Sequence, residues 1–101
     1  MSYTVQLVYA IPGGYKPRQY YLGLTWTDST DPNAASVNVY RSTVSGGPYT
    51  LIANVGMGVQ SYSDFNVVVG TTYFYVVTEV NNVGAESTFS TEQSGTPGWI
   101  P

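Results

Sequence analysis

Cysteine and histidine are absent from the 101-residue sequence, and charged side chains are scarce. Without thiolates and imidazoles, zinc fingers, iron–sulfur clusters, haem ligation and histidine-based catalytic triads are excluded. Three basic residues (Lys16, Arg18 and Arg41) stand against six acidic ones, which gives a net charge of −3. This sign is wrong for neutralising phosphates, so we expect no nucleic-acid partner. The composition predicts a protein without cofactors or metal ions.

Long apolar runs and a leader peptide are also missing. Residues 1–6 carry no basic stretch, no apolar run and no small-residue cleavage site, so we predict no signal peptide. The longest apolar stretches, Val67–Val69 and Tyr73–Val77, fall far short of the roughly 20 residues that a bilayer span needs, so we expect no membrane insertion. The chain is then either made without secretion or is a segment of a longer protein.

Hydrophobic residues recur at every second position, as half-buried strands require. Leu22, Leu24 and Trp26 show this pattern, and it repeats over Tyr73–Val77. Ten tyrosines, eleven glycines and six prolines favour strands and turns over helices. Turn sequences separate seven predicted strands: Thr4–Ala10, Tyr20–Thr27, Ser36–Ser42, Tyr49–Asn54, Ser61–Asp64, Thr72–Val80 and Ser87–Thr96.

Seven short strands in a chain of this length predict an all-β fold, a seven-stranded antiparallel β-sandwich with Greek-key connections. We expect residues 1–101 to form a single domain, with an atypical first strand and long loop in residues 1–19 and a C-terminal tail in residues 97–101. The predicted core consists of the inward-facing residues Leu22, Leu24, Trp26, Val39, Tyr62, Tyr73, Tyr75 and Val77.

Segments of the sequence, in the right order, resemble fibronectin type III domains, which are immunoglobulin-like sandwiches. Leu22–Asp28 is similar to their second strand, whose Trp fills the core, and Val37–Thr50 to the third strand and turn of bacterial members. Val67–Tyr75 resembles the corner before the sixth strand, and Asn81–Ser87 the final hairpin. The resemblance implies that Tyr73 is a corner tyrosine whose hydroxyl bonds to the backbone of the preceding loop.

Three positions depart from the family pattern. Glu79 continues the inward alternation of the sixth strand, where a small apolar residue is expected. Gln93 and Gly95 stand where bacterial relatives tend to carry Val and Ala. The last strand is therefore predicted to be polar and weakly specified.

No set of side chains predicts catalysis. Lys16 is the only base available to a Ser or Thr nucleophile, and no apolar run surrounds it that would favour its neutral form. The pairs Asp28 with Asp31 and Glu79 with Glu86 could in principle act as carboxylate pairs. The Asp28–Asn33 loop also offers oxygens to calcium. Since Asp in such loops ordinarily stabilises turns, we predict no enzyme and no metal site.

Aromatic side chains make up 15% of the sequence and carry its strongest functional signal. On neighbouring predicted strands, Tyr40, Phe74 and Val76 point away from the core, which would make the outer face of that sheet unusually apolar. One interpretation is that cross-strand aromatic pairs simply decorate this face. The other is that the face packs on another protein.

A second candidate surface combines aromatic and basic side chains, which concentrate at protein interfaces. It consists of Tyr15, Lys16, Arg18, Tyr20 and Tyr21, in and behind the first loop. A loop that is merely rich in tyrosine explains the same residues equally well. Trp99, in the predicted tail, is a further candidate contact.

These observations predict a non-catalytic structural or adhesion protein that binds other protein subunits, either copies of itself or a larger assembly. Free-standing domains of this class resemble virion components such as phage capsid decoration or tail proteins, and we favour that function and a virion location from the sequence. The alternative is an accessory spacer or interaction module of a secreted bacterial carbohydrate-active enzyme or cell-surface protein, in an extracellular location. The turn Ser45–Tyr49 resembles that group most. Carbohydrate binding stays open, although no residue pattern supports it.

Overall fold

Two antiparallel β-sheets face each other in the computed structural model, which describes residues 6–10 and 21–97. The strands are β1 (Gln6–Ala10), β2 (Tyr21–Thr25), β3 (Ala34–Ser42), β4 (Thr50–Gly56), β5 (Ser61–Asp64), β6 (Tyr73–Asn81) and β7 (Gln93–Gly95). One sheet has the order β1-β2-β5 and the other the order β4-β3-β6-β7. The chain therefore crosses between the sheets after β2, β4 and β5, and the predicted all-β antiparallel sandwich is confirmed. In the part of the chain that the structure describes, no helix is long and apolar enough to cross a membrane.

The core lies between the two sheets and follows from the alternation of side chains along the strands. From β2 and the residue after it, Leu22, Leu24 and Trp26 point inwards and are at most 5% exposed. The side chains that the other sheet buries in this cluster are Val37, Val39, Tyr73, Tyr75 and Val77. Tyr62 of β5 is half-buried and packs against the cluster from its edge.

The predicted last strand, Ser87–Thr96, is largely wrong. Within this stretch, only the three residues of β7 pair regularly with β6. Before them, a single bridge joins Glu86 to Val80. Eight residues from Glu86 to Gln93 lie against the six from Tyr75 to Val80. Residues 86–92, here named the bulge segment, therefore contain two residues more than a regular ladder can hold.

Two serines attach the bulge segment to β6. The N–H of Ser87 donates to the Glu79 carbonyl at 2.9 Å, and the N–H of Glu79 donates back to the Ser87 hydroxyl at 2.9 Å. Ser90 and Val77 exchange the same two hydrogen bonds, each at 2.9 Å. Serine hydroxyls thus take the place of backbone carbonyls as acceptors. The N–H groups of Val77 and Glu79 therefore keep hydrogen-bond partners although the ladder is interrupted.

The corner before β6 has the geometry that the resemblance implied. The N–H of Val68 donates to the Tyr73 hydroxyl at 2.8 Å. Next to it, the N–H of Gly70 donates to the Pro97 carbonyl at 2.8 Å, and Pro97 is fully buried. Pro97, at the start of the predicted C-terminal tail, therefore packs into the sandwich. Residues 98–101 lie outside the described residues.

A polar network lies inside the sandwich beside this corner. Asp64, which is 2% exposed, accepts hydrogen bonds from Arg41 Nη1 at 2.8 Å and from the Tyr75 hydroxyl at 2.6 Å. Its other carboxylate oxygen accepts the Asn66 N–H at 3.0 Å. The Arg41 guanidinium also lies 5.4 Å from the centre of the Tyr73 ring, within range of a cation–π interaction. Burial and the bond to Asp64 both raise the pKa of Tyr75.

Candidate interaction surface

The outer face of the four-stranded sheet holds the first surface that the sequence predicts. Tyr40 of β3 lies opposite Val76 of β6, and Ser42 lies opposite Phe74. Tyr40 and Phe74 are partly exposed. Val76, however, is only 2% exposed. The prediction that Val76 faces a partner is therefore wrong.

Phe89, in the bulge segment, gives the physical reason. The centre of its ring lies 5.2 Å from that of Tyr40 and 5.2 Å from that of Tyr49, in edge-to-face contacts that aromatic quadrupoles favour. Val76 is the cross-strand neighbour of Tyr40, so it lies on the face of the sheet where Phe89 of the bulge segment contacts Tyr40. Phe89 itself is 53% exposed. The exposed aromatic surface thus belongs to the bulge segment as well as to the sheet.

We name Tyr40, Tyr49 and Phe89 the aromatic cluster. Each of its two tyrosine hydroxyls donates a hydrogen bond to a glutamate. Glu86 Oε2 accepts hydrogen bonds from the hydroxyls of Thr78 and Tyr40, at 2.5 Å for Thr78, and from the Asn38 amide at 3.2 Å. The bonds from Thr78 and Tyr40 lower the pKa of Glu86. Conversely, burial and the bond to Glu86 raise the pKa of Tyr40.

Glu92 does the same for Tyr49 and for the turn between β3 and β4. It accepts hydrogen bonds from the Gly46 N–H and the Ser45 hydroxyl, each at 2.7 Å, and from the Tyr49 hydroxyl. These bonds, that of Gly46 foremost, lower the pKa of Glu92. The turn needs glycine at position 47, because Gly47 has a φ of +89° and a Cβ there would lie 2.9 Å from the Tyr49 nitrogen.

A depression of about 410 Å³ opens beside the aromatic cluster. Its lining residues are Tyr40, Thr78, Glu86, Ser87, Thr88 and Phe89. Glu86 is the only charged residue among them. Arg41, the only basic residue in the described ranges, lines a separate depression of about 380 Å³. The first depression is therefore aromatic, rich in hydroxyl groups and negatively charged.

The second predicted surface is described only in part. Tyr15, Lys16, Arg18, Tyr20 and Trp99 lie outside the described residues. Tyr21 is half-buried, and its ring centre lies 4.9 Å from that of Phe65, which is 55% exposed. These two rings form an aromatic patch where β2 begins and β5 ends. Neither Phe65 nor Phe89 could be predicted as a surface residue, because an aromatic residue in a turn or a bulge has no periodic signal.

The remaining carboxylates are engaged in turns and in the core. Asp28 Oδ2 accepts the Gly58 N–H at 2.7 Å, and Asp31 accepts a backbone N–H two residues later at 2.9 Å. Glu79 is 2% exposed, at the inward position that the alternation predicts, and accepts the Ser29 hydroxyl. Within the described ranges, no three acidic residues are grouped so that they could hold a metal ion.

Comparison with known proteins shows where this sandwich belongs. No family model matches the sequence. An Fn3-like protein from Clostridium thermocellum, solved by crystallography, is 46% identical with a TM-score of 0.65, and the match covers 73% of each chain. The chain belongs to the Fn3-like family. This agrees with the resemblance to fibronectin type III domains that the sequence motifs indicate.

The Fn3-like chain is also similar to short parts of large enzymes. It is 42% identical over 80 residues to an amylopullulanase from Thermoanaerobacter thermohydrosulfuricus, and 36% identical over 81 residues to one from Thermoanaerobacterium saccharolyticum. These matches cover 75% and 76% of the chain but only 5% and 6% of the enzymes. The chain thus spans about one twentieth of the length of these curated relatives. The matches favour the enzyme-module interpretation and give no support to the virion interpretation.

Proposed function

We propose that this Fn3-like chain is a non-catalytic accessory module of an extracellular carbohydrate-active enzyme, in which it spaces or positions the catalytic part. The observation that carries the proposal is the 42% identity to a segment that makes up 5% of an amylopullulanase. The name of these relatives suggests that the substrate of the parent enzyme is an α-glucan such as starch or pullulan. The chain's own contribution is then mechanical or adhesive.

The state of the carboxylates supports a role without catalysis. A glycoside hydrolase needs one carboxylic acid with a raised pKa as general acid and a second carboxylate beside it as nucleophile or base. Here hydrogen bonds lower the pKa of both Glu86 and Glu92, which is the opposite of what a general acid requires. The carboxylates of Asp64 and Glu79 are buried in the sandwich. The acidic residues thus stabilise turns, the core and the aromatic cluster.

The contact with other protein subunits stays part of this proposal. The patch formed by Tyr21 and Phe65 offers a half-exposed aromatic contact at one end of the three-stranded sheet. Modules in one polypeptide meet through interfaces of modest area, and this aromatic patch can form part of one. We propose that a neighbouring module of the same enzyme, and not a capsid, is the partner.

The coding sequence around the gene tests the proposal first. We expect the reading frame that encodes this chain to include a catalytic domain. A frame that encodes this chain alone, flanked by genes for virion structural proteins, would contradict the proposal and restore the virion interpretation.

A deletion then tests the role itself. In the parent enzyme, removal of the residues that correspond to 21–97 should leave kcat on a short soluble maltooligosaccharide unchanged. Activity on polymeric starch or the Tm of the enzyme should fall, because spacing or positioning is lost. Loss of kcat on the short substrate would show that the module contributes to the active site, against the proposal.

A further inference from the structure

The depression beside the aromatic cluster is open to solvent and is lined by aromatic and polar side chains. Its volume of about 410 Å³ falls within the range of about 300–1,000 Å³ typical of such sites. Its lining combines the rings of Phe89 and Tyr40 with the hydroxyl of Thr78 and the carboxylate of Glu86. Apolar surface and a few fixed polar groups therefore meet in one place.

The exposed ring is held in position. Tyr40 and Tyr49 contact the Phe89 ring edge to face at 5.2 Å each. The backbone on either side of Phe89 is fixed to β6 by the paired hydrogen bonds of Ser87 and Ser90. A ligand that packs on this ring therefore orders little of the protein, which favours binding.

The polar group in the depression is equally well fixed. All three hydrogen bonds of Glu86, from Asn38, Tyr40 and Thr78, go to Oε2. Among the described residues no hydrogen bond uses Glu86 Oε1. The lowered pKa of Glu86 means that the carboxylate is ionised at neutral pH. Oε1 is thus a rigidly held acceptor that a donor on a ligand can use.

These features select a class of ligand. An anion would be repelled by Glu86, since none of the described residues that line the depression is basic. A purely apolar ligand would cover the carboxylate without giving it a hydrogen bond, which is costly. A sugar ring satisfies both groups, because its C–H face packs on an aromatic ring while a hydroxyl at its edge donates to the carboxylate.

We propose that the depression binds one sugar ring of a neutral glycan, with the ring face on Phe89 and a hydroxyl on Glu86 Oε1. This inference rests on the proposed function, because the parent enzyme's polymer supplies the glycan. It gives the module a second task, which is to hold that polymer beside the enzyme.

Titration of the ¹⁵N-labelled chain with maltohexaose, followed by NMR, tests the site. We expect saturable shift changes at Thr78 and from Glu86 to Phe89. Phe89→Ala should weaken binding by about tenfold or more, as loss of a central aromatic contact does. Glu86→Gln should weaken it less, since the amide oxygen still accepts a hydrogen bond. Phe65→Ala is the matched control, because Phe65 is exposed to a similar extent just after β5 of the other sheet, and this variant should bind as the original chain does.

Several outcomes would overturn the proposal. Absence of saturable shifts with maltohexaose is one, and shifts that persist unchanged in Phe89→Ala are another. If Phe89→Ala fails to fold, Phe89→Leu keeps apolar volume without an aromatic face and should bind less tightly. Binding of a hexalysine peptide, lost in Glu86→Gln, without binding of maltohexaose would assign the depression to a basic partner. None of these results affects the reading-frame and deletion tests, so failure of the glycan site is distinguishable from failure of the proposed function.

Discussion

Replacement of Asp64 by alanine tests the buried polar network most directly. In Asp64→Ala, Arg41 and Tyr75 both lose their shared acceptor, and the fully buried Tyr75 hydroxyl has no access to water. Breaking a buried ion pair costs about 3–5 kcal/mol. Because the Arg41 side chain keeps 21% exposure, we expect the lower end of this range, about 3 kcal/mol. In a chain of this size such a loss lowers Tm by roughly 12–24 °C.

A double-mutant cycle isolates the bond between Tyr75 and Asp64. Tyr75→Phe alone leaves the ion pair intact and removes a hydrogen bond to a charged acceptor, which costs about 1.5–3 kcal/mol. In the Asp64→Ala background the same substitution removes a hydroxyl that already lacks its acceptor, so it should cost nothing or even stabilise the fold. We therefore expect a coupling free energy of about 1.5–3 kcal/mol between the two positions.

Urea denaturation followed by circular dichroism measures the free energy of unfolding of the four proteins. Equal m-values would show that all of them unfold in the same manner. Asp31→Ala is the control, because Asp31 is an exposed carboxylate in a turn. This substitution should change the free energy of unfolding by no more than about 1 kcal/mol. Single-mutant effects that add within about 0.5 kcal/mol would refute the reasoning, since the two side chains would then be energetically independent.

Three further predictions concern the corner, the bulge segment and the pH dependence. Tyr73→Phe should lower the free energy of unfolding by about 1–3 kcal/mol, because the Val68 N–H loses its acceptor. Ser90→Ala should also lower the free energy of unfolding by about 1–3 kcal/mol, because the Val77 N–H loses its acceptor. Stability should also fall as pH rises above about 10, because the raised pKa of Tyr75 lets the unfolded chain release its proton first.

Each of these predictions has its own control. Tyr62→Phe tests a hydroxyl that has no hydrogen bond among the described residues, and it should be nearly neutral in urea denaturation. Ser94→Ala, on the exposed side of β7, should likewise leave stability unchanged. For the pH dependence, Tyr75→Phe should reduce the loss measured by thermal melts between neutral and alkaline pH. An equal loss in Tyr75→Phe would assign the alkaline transition to other tyrosines.

Strands β3, β5 and β6 could be predicted because side-chain alternation along a strand is a local property of the sequence. Ser61–Asp64 has the predicted bounds, and β3 and β6 differ from their predicted bounds by one or two residues at an end. The corner tyrosine could be recognised because its partner, Val68, is only five residues away and the motif is contiguous. A motif with such short spacing can therefore be recognised from the sequence alone.

The surface could not be predicted as well, because it depends on a break in the ladder. Val76 has the alternation of an exposed residue, and only the two extra residues before β7 bring Phe89 over that face. Nothing local in the sequence pairs Glu86 with Tyr40, which lies 46 positions earlier. The polar network is equally non-local, since Arg41 and Asp64 meet across the two sheets.

The serine contacts of the bulge segment have a consequence for the behaviour of the protein at high concentration. A free strand edge offers a row of N–H and C=O groups on which another chain can add a strand, and this is a common start of aggregation. Along β6 from Val77 to Glu79, these groups are taken by Ser87 and Ser90 of the same chain. The regular ladder beyond them is only three residues long. The irregular segment that makes the aromatic surface therefore also closes the β6 edge to strand addition by another chain.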